Sequence, residues 1–330
     1  MYEVILLKVA LIFTGGTIAM KVDKSLQGAI PSLTPNEIMM TLSGIDDFDQ
    51  LITYEYSAKP SPFLTIYDMQ QIANRTENYL AQDDVAGVVI VHGTDTLEET
   101  AFFLHSVIES DKPVVLTGSM KNASEFGYDG LTNLASSIKV CLSPKSIGLG
   151  TLVVMNDTIN SALEVTKSHT MSLDTFKSME FGPLGIVDQG SVLYYRALTH
   201  QHRAKFDNKV NEDVYIIKVY AGMNGDFIDY LIARGAKGIV LESLGRGNVP
   251  PMMMDALKKA LELGIHVVIV SRCPTGRVLD TYAYEGGGKH LTSIGCILGN
   301  NYNSMKARIL LMLAISNDYV HDDIVKLFAL

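Results

Sequence analysis

The sequence predicts an α/β protein of two domains, a larger N-terminal one on a mostly parallel sheet and a smaller C-terminal one, also on a parallel sheet. Three observations carry this expectation. At 330 residues the chain is longer than one hydrophobic core normally serves. Short runs that are apolar throughout alternate with helix-like segments, which suits strands buried on both faces and joined by crossover helices. A polar, irregular stretch at residues 191–212 separates two such series. The expected organisation is therefore an N-terminal domain at 1–190, a linker at 191–212 and a C-terminal domain at 213–330.

The strand-like runs of the first series lie near Val4–Phe13, Leu51–Tyr56, Val85–Val91, Val114–Leu116 and Thr151–Met155. Thr34-Pro35-Asn36-Glu37 reads as a helix start, with a cap, a proline at the first position and a reciprocal glutamate. Thr96–Glu99 has the form of a second capping box, followed by Leu97, Ala101, Leu104 and Ile108 at helical spacing. Thr17 likewise reads as a cap. Residues 130–140 form another helical pattern. In the second series VYIIKVY, GIVLES and HVVIV alternate with helices from about Asp226, near Met252–Leu263 and from Ser304. The Met252–Met254 run reads as helix core or a buried contact.

Composition narrows the function classes. Hydrophobic residues make up 47% of the chain and charged residues 19%, as in ordinary globular proteins. The net charge is −9 and no Lys/Arg cluster forms a basic face, which argues against a nucleic-acid partner. The N-terminal run carries Glu3 and Lys8 and no small-residue cleavage site, so it reads as a strand rather than a signal peptide. No apolar run is long enough to span a bilayer. Cys141, Cys273 and Cys296 are odd in number and outside any CxxC pattern, as expected of thiols in a reducing cytoplasm. No Cys/His grouping has zinc spacing, and His200 and His202 lie in the polar stretch. No metal and no cofactor is expected.

In parallel sheets, sites form beyond the carboxyl ends of strands. Three such loops stand out: Thr14-Gly15-Gly16-Thr17, His92-Gly93-Thr94-Asp95-Thr96 and Thr117-Gly118-Ser119-Met120-Lys121. Each sets glycine beside hydroxyls, and parallel strands bring all three to one sheet edge. Glycine lets a ligand approach the backbone, and the combination predicts a pocket of hydroxyls and N–H donors with Asp95 as its acid. The first loop lacks both GxGxxG and GK[ST], so a phosphate cradle is disfavoured. No GxSxG elbow is present, and His92 reads as a buried, hydrogen-bonded histidine as readily as a triad member. A threonine nucleophile supplied with a base or proton relay fits better, and a carboxylate with a desolvated lysine is one way to supply it.

TGGTIA at Thr14–Ala19, HGTDTLEETA at His92–Ala101 and the segment Val154–Gly185 resemble the bacterial-type L-asparaginase family, of the cytoplasmic kind. The likeness continues through GRGN, SRCPTGRV and KARILLMLA, so it covers essentially the whole chain. It implies an amidohydrolase that releases ammonia from L-asparagine, with L-glutamine as a secondary substrate, and that needs no cofactor. By resemblance Thr14 is the nucleophile, and Thr94, Asp95 and Lys167 form a hydroxyl–acid–amine group around the substrate. Ser61 matches the serine that binds the substrate α-carboxylate, and Asp95 the acid that faces its α-ammonium. Gly93 and Ser119 are assigned to substrate binding with these loops. Asn248 and Glu285 match residues on the far side of the site, Glu285 being lent by a neighbouring subunit. The resemblance therefore implies a homodimer or homotetramer, with the site between the two domains and completed by a partner copy.

The sequence departs from the family at two places. Pro62 follows Ser61 where many relatives have glutamine. The segment after the first motif, MKVDKSLQGAIPSL, lacks the tyrosine that activates the nucleophile in the family. Tyr284 is one substitute and water or Lys24 another; weaker activation is the alternative. Two rival functions follow, an asparagine-binding or sensing protein with little turnover, and an amidase subunit of a tRNA-dependent amidotransferase. The latter is disfavoured because no added N-terminal domain and no basic surface signal is seen.

Overall fold

The structure is a computed structural model that describes residues 7–42, 50–198 and 206–329. The chain divides into two compact units, residues 1–205 and 206–330. In unit 1 the elements are β1 (Lys8–Phe13), β2 (Met20–Asp23), β3 (Gly28–Pro31), α1 (Pro35–Leu42), β4 (Leu51–Glu55), α2 (Ile66–Leu80), β5 (Val85–Val91) and α3 (Leu97–Val107). They continue with β6 (Val114–Thr117), α4 (Gly130–Leu142), β7 (Thr151–Met155), β8 (Thr158–Ser161), β9 (Val165–Lys167), β10 (Phe176–Ser178), β11 (Gly185–Asp188) and β12 (Ser191–Tyr194).

Eight of these strands form one sheet in the order β12-β11-β8-β7-β6-β5-β1-β4. The five from β7 to β4 are parallel, whereas β8, β11 and β12 are each antiparallel to a neighbour. The central strands are apolar throughout because both faces are covered. Val9, Leu11, Phe13, Val89 and Val91 pack with Ile38 and Leu42 of α1 and Leu134 and Ile138 of α4. Ala10, Ile12, Val88 and Ile90, on the opposite face, are equally buried. Each such aliphatic side chain contributes about 1.5–3 kcal/mol by leaving water.

The strand order places the site. The chain leaves β1 for β4 on one side, then returns to β5 on the other. The connections after β1 and β5 therefore diverge and open a crevice at the carboxyl ends of these two strands, the usual ligand position in open α/β sheets. Phe13 pairs with both Glu55 and Val91, and Val91 pairs with Thr117, so four strand ends finish level.

Unit 2 holds β13 (Val214–Lys218), α5 (Asp226–Ala233), β14 (Gly238–Ser243), α6 (Met254–Glu262), β15 (His266–Ser271), α7 (Gly288–Ser293), β16 (Ile297–Leu298), α8 (Ser304–Ser316) and α9 (His321–Phe328). Its four strands run parallel in sequence order. Met253 and Met254 are buried in its core, while Met252 is exposed. Among the described residues no helix is long and apolar enough to cross a membrane. Cys141 and Cys296 are buried and Cys273 exposed, and all three are free thiols.

Several local expectations need correction. Ser191–Tyr194, read as the start of the polar linker, form β12, whose backbone completes the antiparallel flank of the sheet against β11. The alternation of Val192 and Tyr194, both half-buried against the core, outweighs the polarity that follows. Residues 199–205 of the linker, which include His200 and His202, and residues 4–6 of the Val4–Phe13 run lie outside the described residues; β1 begins at Lys8. The capping box at Thr34 and Glu37 forms as expected, with Thr34 N–H donating to Glu37 Oε2 at 2.8 Å and Glu37 N–H to Thr34 Oγ1 at 3.3 Å. Thr96 occupies the N-cap position of α3 but makes no side-chain cap. Its hydroxyl donates to Ser61 O at 3.1 Å instead. Thr17 is the first residue of a short 3-10 turn whose cap is Gly16, so it is not a cap either.

Candidate functional site

Thr14 directly extends β1. Its N–H donates to Val91 O at 2.9 Å, and its hydroxyl donates to the same carbonyl at 3.1 Å. The side chain is fully buried. Ser57, just beyond β4, donates its hydroxyl to Thr14 O at 2.7 Å and fixes the peptide that follows. Gly15 and Gly16 then turn the chain with φ of 106° and 88°, a region that L side chains rarely adopt.

These glycines also permit contact between loops. A Cβ on Gly16 would stand 2.4 Å from Gly93 Cα, and one on Gly93 would stand 2.7 Å from Ser61 Cβ. The loops after β1, β4 and β5 thus meet backbone to backbone. Ser61 Oγ accepts the Asp95 N–H at 3.2 Å, and Thr96 seals the same contact from its hydroxyl. The Ser61 loop is itself stapled by Asp68 of α2. Asp68 Oδ1 accepts from Tyr56 OH at 2.7 Å and Lys59 Nζ at 3.3 Å, and Oδ2 accepts from Thr65 N–H at 2.7 Å and the Thr65 hydroxyl at 2.8 Å. Burial pushes this carboxyl up, but the Thr65 N–H, the Tyr56 and Thr65 hydroxyls and Lys59 outweigh it and bring the pKa down to about 2.

Lys167 arrives from the β9–β10 hairpin. Its Nζ donates to Thr94 Oγ1 at 2.9 Å and to Asp95 Oδ1 at 2.6 Å. Asp95 is 61% exposed at its side chain, so the ion pair adds little stability; its effect is to hold the amine against Thr94. The hairpin is anchored by Glu98, a buried residue of α3 whose Oε2 accepts the Lys167 N–H at 2.6 Å.

The structure therefore brings Thr14, Ser61, Gly93, Thr94, Asp95 and Lys167 to one sheet edge. Ser119 is buried there too, but its role needs revising. Its hydroxyl donates to Lys121 O and to Asp129 Oδ1, the latter at 2.7 Å, and Asp129 also accepts the Met120 and Lys121 N–H groups at 3.0 Å. The single hydroxyl proton is used inside its own loop, so Ser119 shapes the loop rather than donating to a ligand. The segment after the first motif, in which no tyrosine occurs, forms the β2–β3 hairpin. It is tied to the neighbouring loop by Ala123 N–H to Met20 O and Val22 N–H to Ser124 Oγ.

In unit 2, Asn248 bridges back to Leu244 through its main chain, and its side-chain Oδ1 is buried with no hydrogen-bond partner among the described residues. Such an orphan acceptor calls for a ligand or water. Glu285 is exposed on its loop, and Tyr284 beside it stacks on Tyr282 at 5.5 Å.

Three contributors escaped sequence reasoning. Glu98 looks like a capping glutamate, yet it holds a strand 69 residues away. Ser57 and Asp129 act through backbone groups that no spacing rule points to. Among the described residues no group of three or more His, Cys, Asp or Glu side chains is placed to hold a metal ion.

Comparison with known proteins places this arrangement. Residues 8–200 match the family model "Asparaginase, N-terminal", and residues 213–328 match "Glutaminase/Asparaginase C-terminal domain". The chain is 37% identical to the L-asparaginase of Bacillus licheniformis over 94% of its length and 96% of the relative's. It is 30% identical to the glutaminase-asparaginase of Pseudomonas fluorescens biotype A over 98% of its length and 90% of that protein's. Among solved structures, a probable cytoplasmic L-asparaginase from Campylobacter jejuni superposes with a TM-score of 0.87 at 31% identity. That match covers 98% of this chain and 99% of the other.

Proposed function

Since the chain belongs to the asparaginase family, we propose that it hydrolyses L-asparagine to L-aspartate and ammonia, with L-glutamine as a minor substrate. The observation that carries the reading is the contact of Lys167 Nζ with both Thr94 Oγ1 and Asp95 Oδ1. It sets an amine, a hydroxyl and a carboxylate beside the loop that presents Thr14.

Each group then has a physical task. The substrate is a zwitterion at one end and an amide at the other. Ser61 receives its carboxylate and Asp95 its ammonium, which fixes the amide carbon relative to Thr14 and removes orientational freedom from the reaction. Thr14 attacks through Oγ1. Val91 O holds the hydroxyl proton in the resting state but is too weak a base to take it. Lys167, an ammonium in its ion pair with Asp95, gives a proton by way of Thr94 to the leaving ammonia, and the proton released by Thr14 replaces it. The Thr94 N–H meets the negative charge that develops on the amide oxygen. Water then cleaves the acyl-threonine ester and releases aspartate.

Asn248, with its unsatisfied Oδ1, and Glu285 are proposed to complete the substrate site of a second copy of the chain, as the family resemblance implies. Glu285 acts from a second copy of the chain in a homodimer or homotetramer. The cytoplasm is the proposed location, supported by three free thiols and by the printed name of the Campylobacter jejuni neighbour. The test is ammonia release from asparagine by the purified protein and by Thr14→Ala. The expected loss in the variant is at least about a thousandfold in kcat. An inactive wild type that still binds asparagine would return the reading to a sensor.

A further inference from the structure

We propose that His92 is a positioning residue for this reaction. Its imidazole fixes the Gly93–Thr94 peptide so that the Thr94 N–H is held ready for the amide oxygen. The inference rests on the asparaginase reading above and concerns a side chain to which that mechanism gives no task.

His92 is completely buried at the end of β5. Its two ring nitrogens have different partners. Nδ1 lies 2.7 Å from Gly93 O, and Nε2 lies 3.0 Å from Thr100 Oγ1 on α3. A carbonyl oxygen only accepts, so Nδ1 carries the proton. Burial holds the pKa down at about 4, against a smaller upward pull from the Gly93 carbonyl, so the ring is neutral near pH 7. Nε2 is then bare, and the Thr100 hydroxyl donates to it. The tautomer is thereby set from both sides.

The consequence lies in the next peptide. Among the described residues no cis bond occurs, and in a trans peptide the C=O and N–H point in opposite directions. Fixing Gly93 O against Nδ1 turns the Thr94 N–H away from the imidazole. Among the described residues no acceptor meets that N–H, although Thr94 is only 7% exposed. A nearly buried donor without a partner is unfavourable unless a ligand supplies the acceptor. The neighbouring peptide is already committed, since the Asp95 N–H goes to Ser61 Oγ. The series Thr100 hydroxyl, imidazole, Gly93 carbonyl thus orients one donor, and leaves it empty.

The test compares His92→Leu, which removes the donor, with His92→Asn, whose amide nitrogen can replace Nδ1–H. Thr100→Val and Thr100→Ser act on the other side of the ring and perturb the core less. Readouts are kcat and KM for asparagine, and aspartate binding by calorimetry. A donor used mainly in the transition state should lower kcat and kcat/KM together, and mispositioning one should cost roughly 10- to 100-fold. The expected result is that loss in His92→Leu, aspartate affinity within about threefold of wild type, and most of kcat restored in His92→Asn. Thr100→Val should fall in the same direction and Thr100→Ser should recover. Unchanged kcat in His92→Leu overturns the proposal. So does a loss shared equally by His92→Asn, or one matched by weaker aspartate binding. If His92→Leu does not fold, the Thr100 pair decides by the same criteria. Wild type and Thr14→Ala are assayed alongside. Turnover by the first and not the second leaves the His92 variants to decide alone, whereas an inactive wild type removes the asparaginase reading and this one with it.

Discussion

The two sheets of this chain end differently. In unit 1 the strand order doubles back around β1, and the loops beyond β1, β4, β5 and β6 close on one another. Thr14, Ser61, Thr94 and Ser119 are all buried there. In unit 2 the four strands follow in sequence order with no reversal. The loops beyond β14 and β15 carry Arg246, Arg272 and Arg277 into solvent, and their hydroxyls serve the backbone, as in Ser271 Oγ to Gly245 O at 2.6 Å. The unit 1 sheet is parallel over the five strands from β7 to β4 and the unit 2 sheet over all four, and both have glycine-rich loops. The reversal of strand order makes the difference, because it separates two connections and leaves room between them.

Three measurements bear on this contrast. The largest effect is expected from Lys167→Met, which keeps most of the side-chain volume and removes the amine from Thr94 and Asp95. Steady-state assays should show kcat reduced by roughly 10²- to 10⁴-fold while the melting temperature barely moves. A mild loss would mean that the crevice works without its amine, and the contrast with unit 2 would shrink to loop geometry.

Acid stability comes next. The pKa of His92 is lowered in the folded state, from 6.5 to about 4, so the unfolded chain binds the proton more readily. The stabilisation is fully present above about pH 6.5 and is lost as the pH falls toward 4, a contribution on the order of 3 kcal/mol. Denaturant titrations of wild type and His92→Asn should diverge in slope across that window. His266 of unit 2, lowered by burial and by His321, acts in the same direction and remains in both proteins. Parallel curves would show that His92 is not the buried group that titrates.

The smallest effect is a difference between two glycines. Gly16→Ala drives a Cβ into Gly93 and also suffers a positive φ. Gly276→Ala has φ of 85° but nothing within 4 Å of the new Cβ. The second should cost about 1 kcal/mol and leave turnover alone. The first should cost about 2 kcal/mol more and lower turnover less than Lys167→Met does, read from chemical unfolding and ammonia release. Equal costs would mean that the unit 1 loops are less tightly joined than their geometry indicates.

Much of the fold was legible because burial on both faces leaves a plain trace, the uninterrupted apolar runs at β1, β5, β6 and β7. The converging loops were legible for a related reason: parallel strands ending level send their following residues to one edge. Hydroxyl destinations were harder to read. Thr96 precedes a glutamate-bearing helix and looks like a cap, yet Ser61 O, 35 residues away, takes its proton. Ser119 looks available, yet Asp129 captures it. Local spacing cannot choose between a near partner and a distant one of similar strength. β12 was missed because a four-residue strand beside a polar tract carries too little periodicity to register. The role of Glu98 has no sequence trace, since its partner is a backbone N–H.

The pairing of β1 with β5 carries an implication for engineering. The ladder skips a residue at its amino end, where Lys8 faces Val85 and Val9 already faces Gly87, then runs without a break to Phe13 and Val91. Irregularity is thus absorbed at the end remote from catalysis. Side chains alternate in direction along a strand, so a one-residue insertion between Val9 and Phe13 would reverse the side to which Thr14 projects while leaving the hydrophobic bulk nearly intact. Such a variant should fold and be inert, whereas an added residue before Lys8 should be silent.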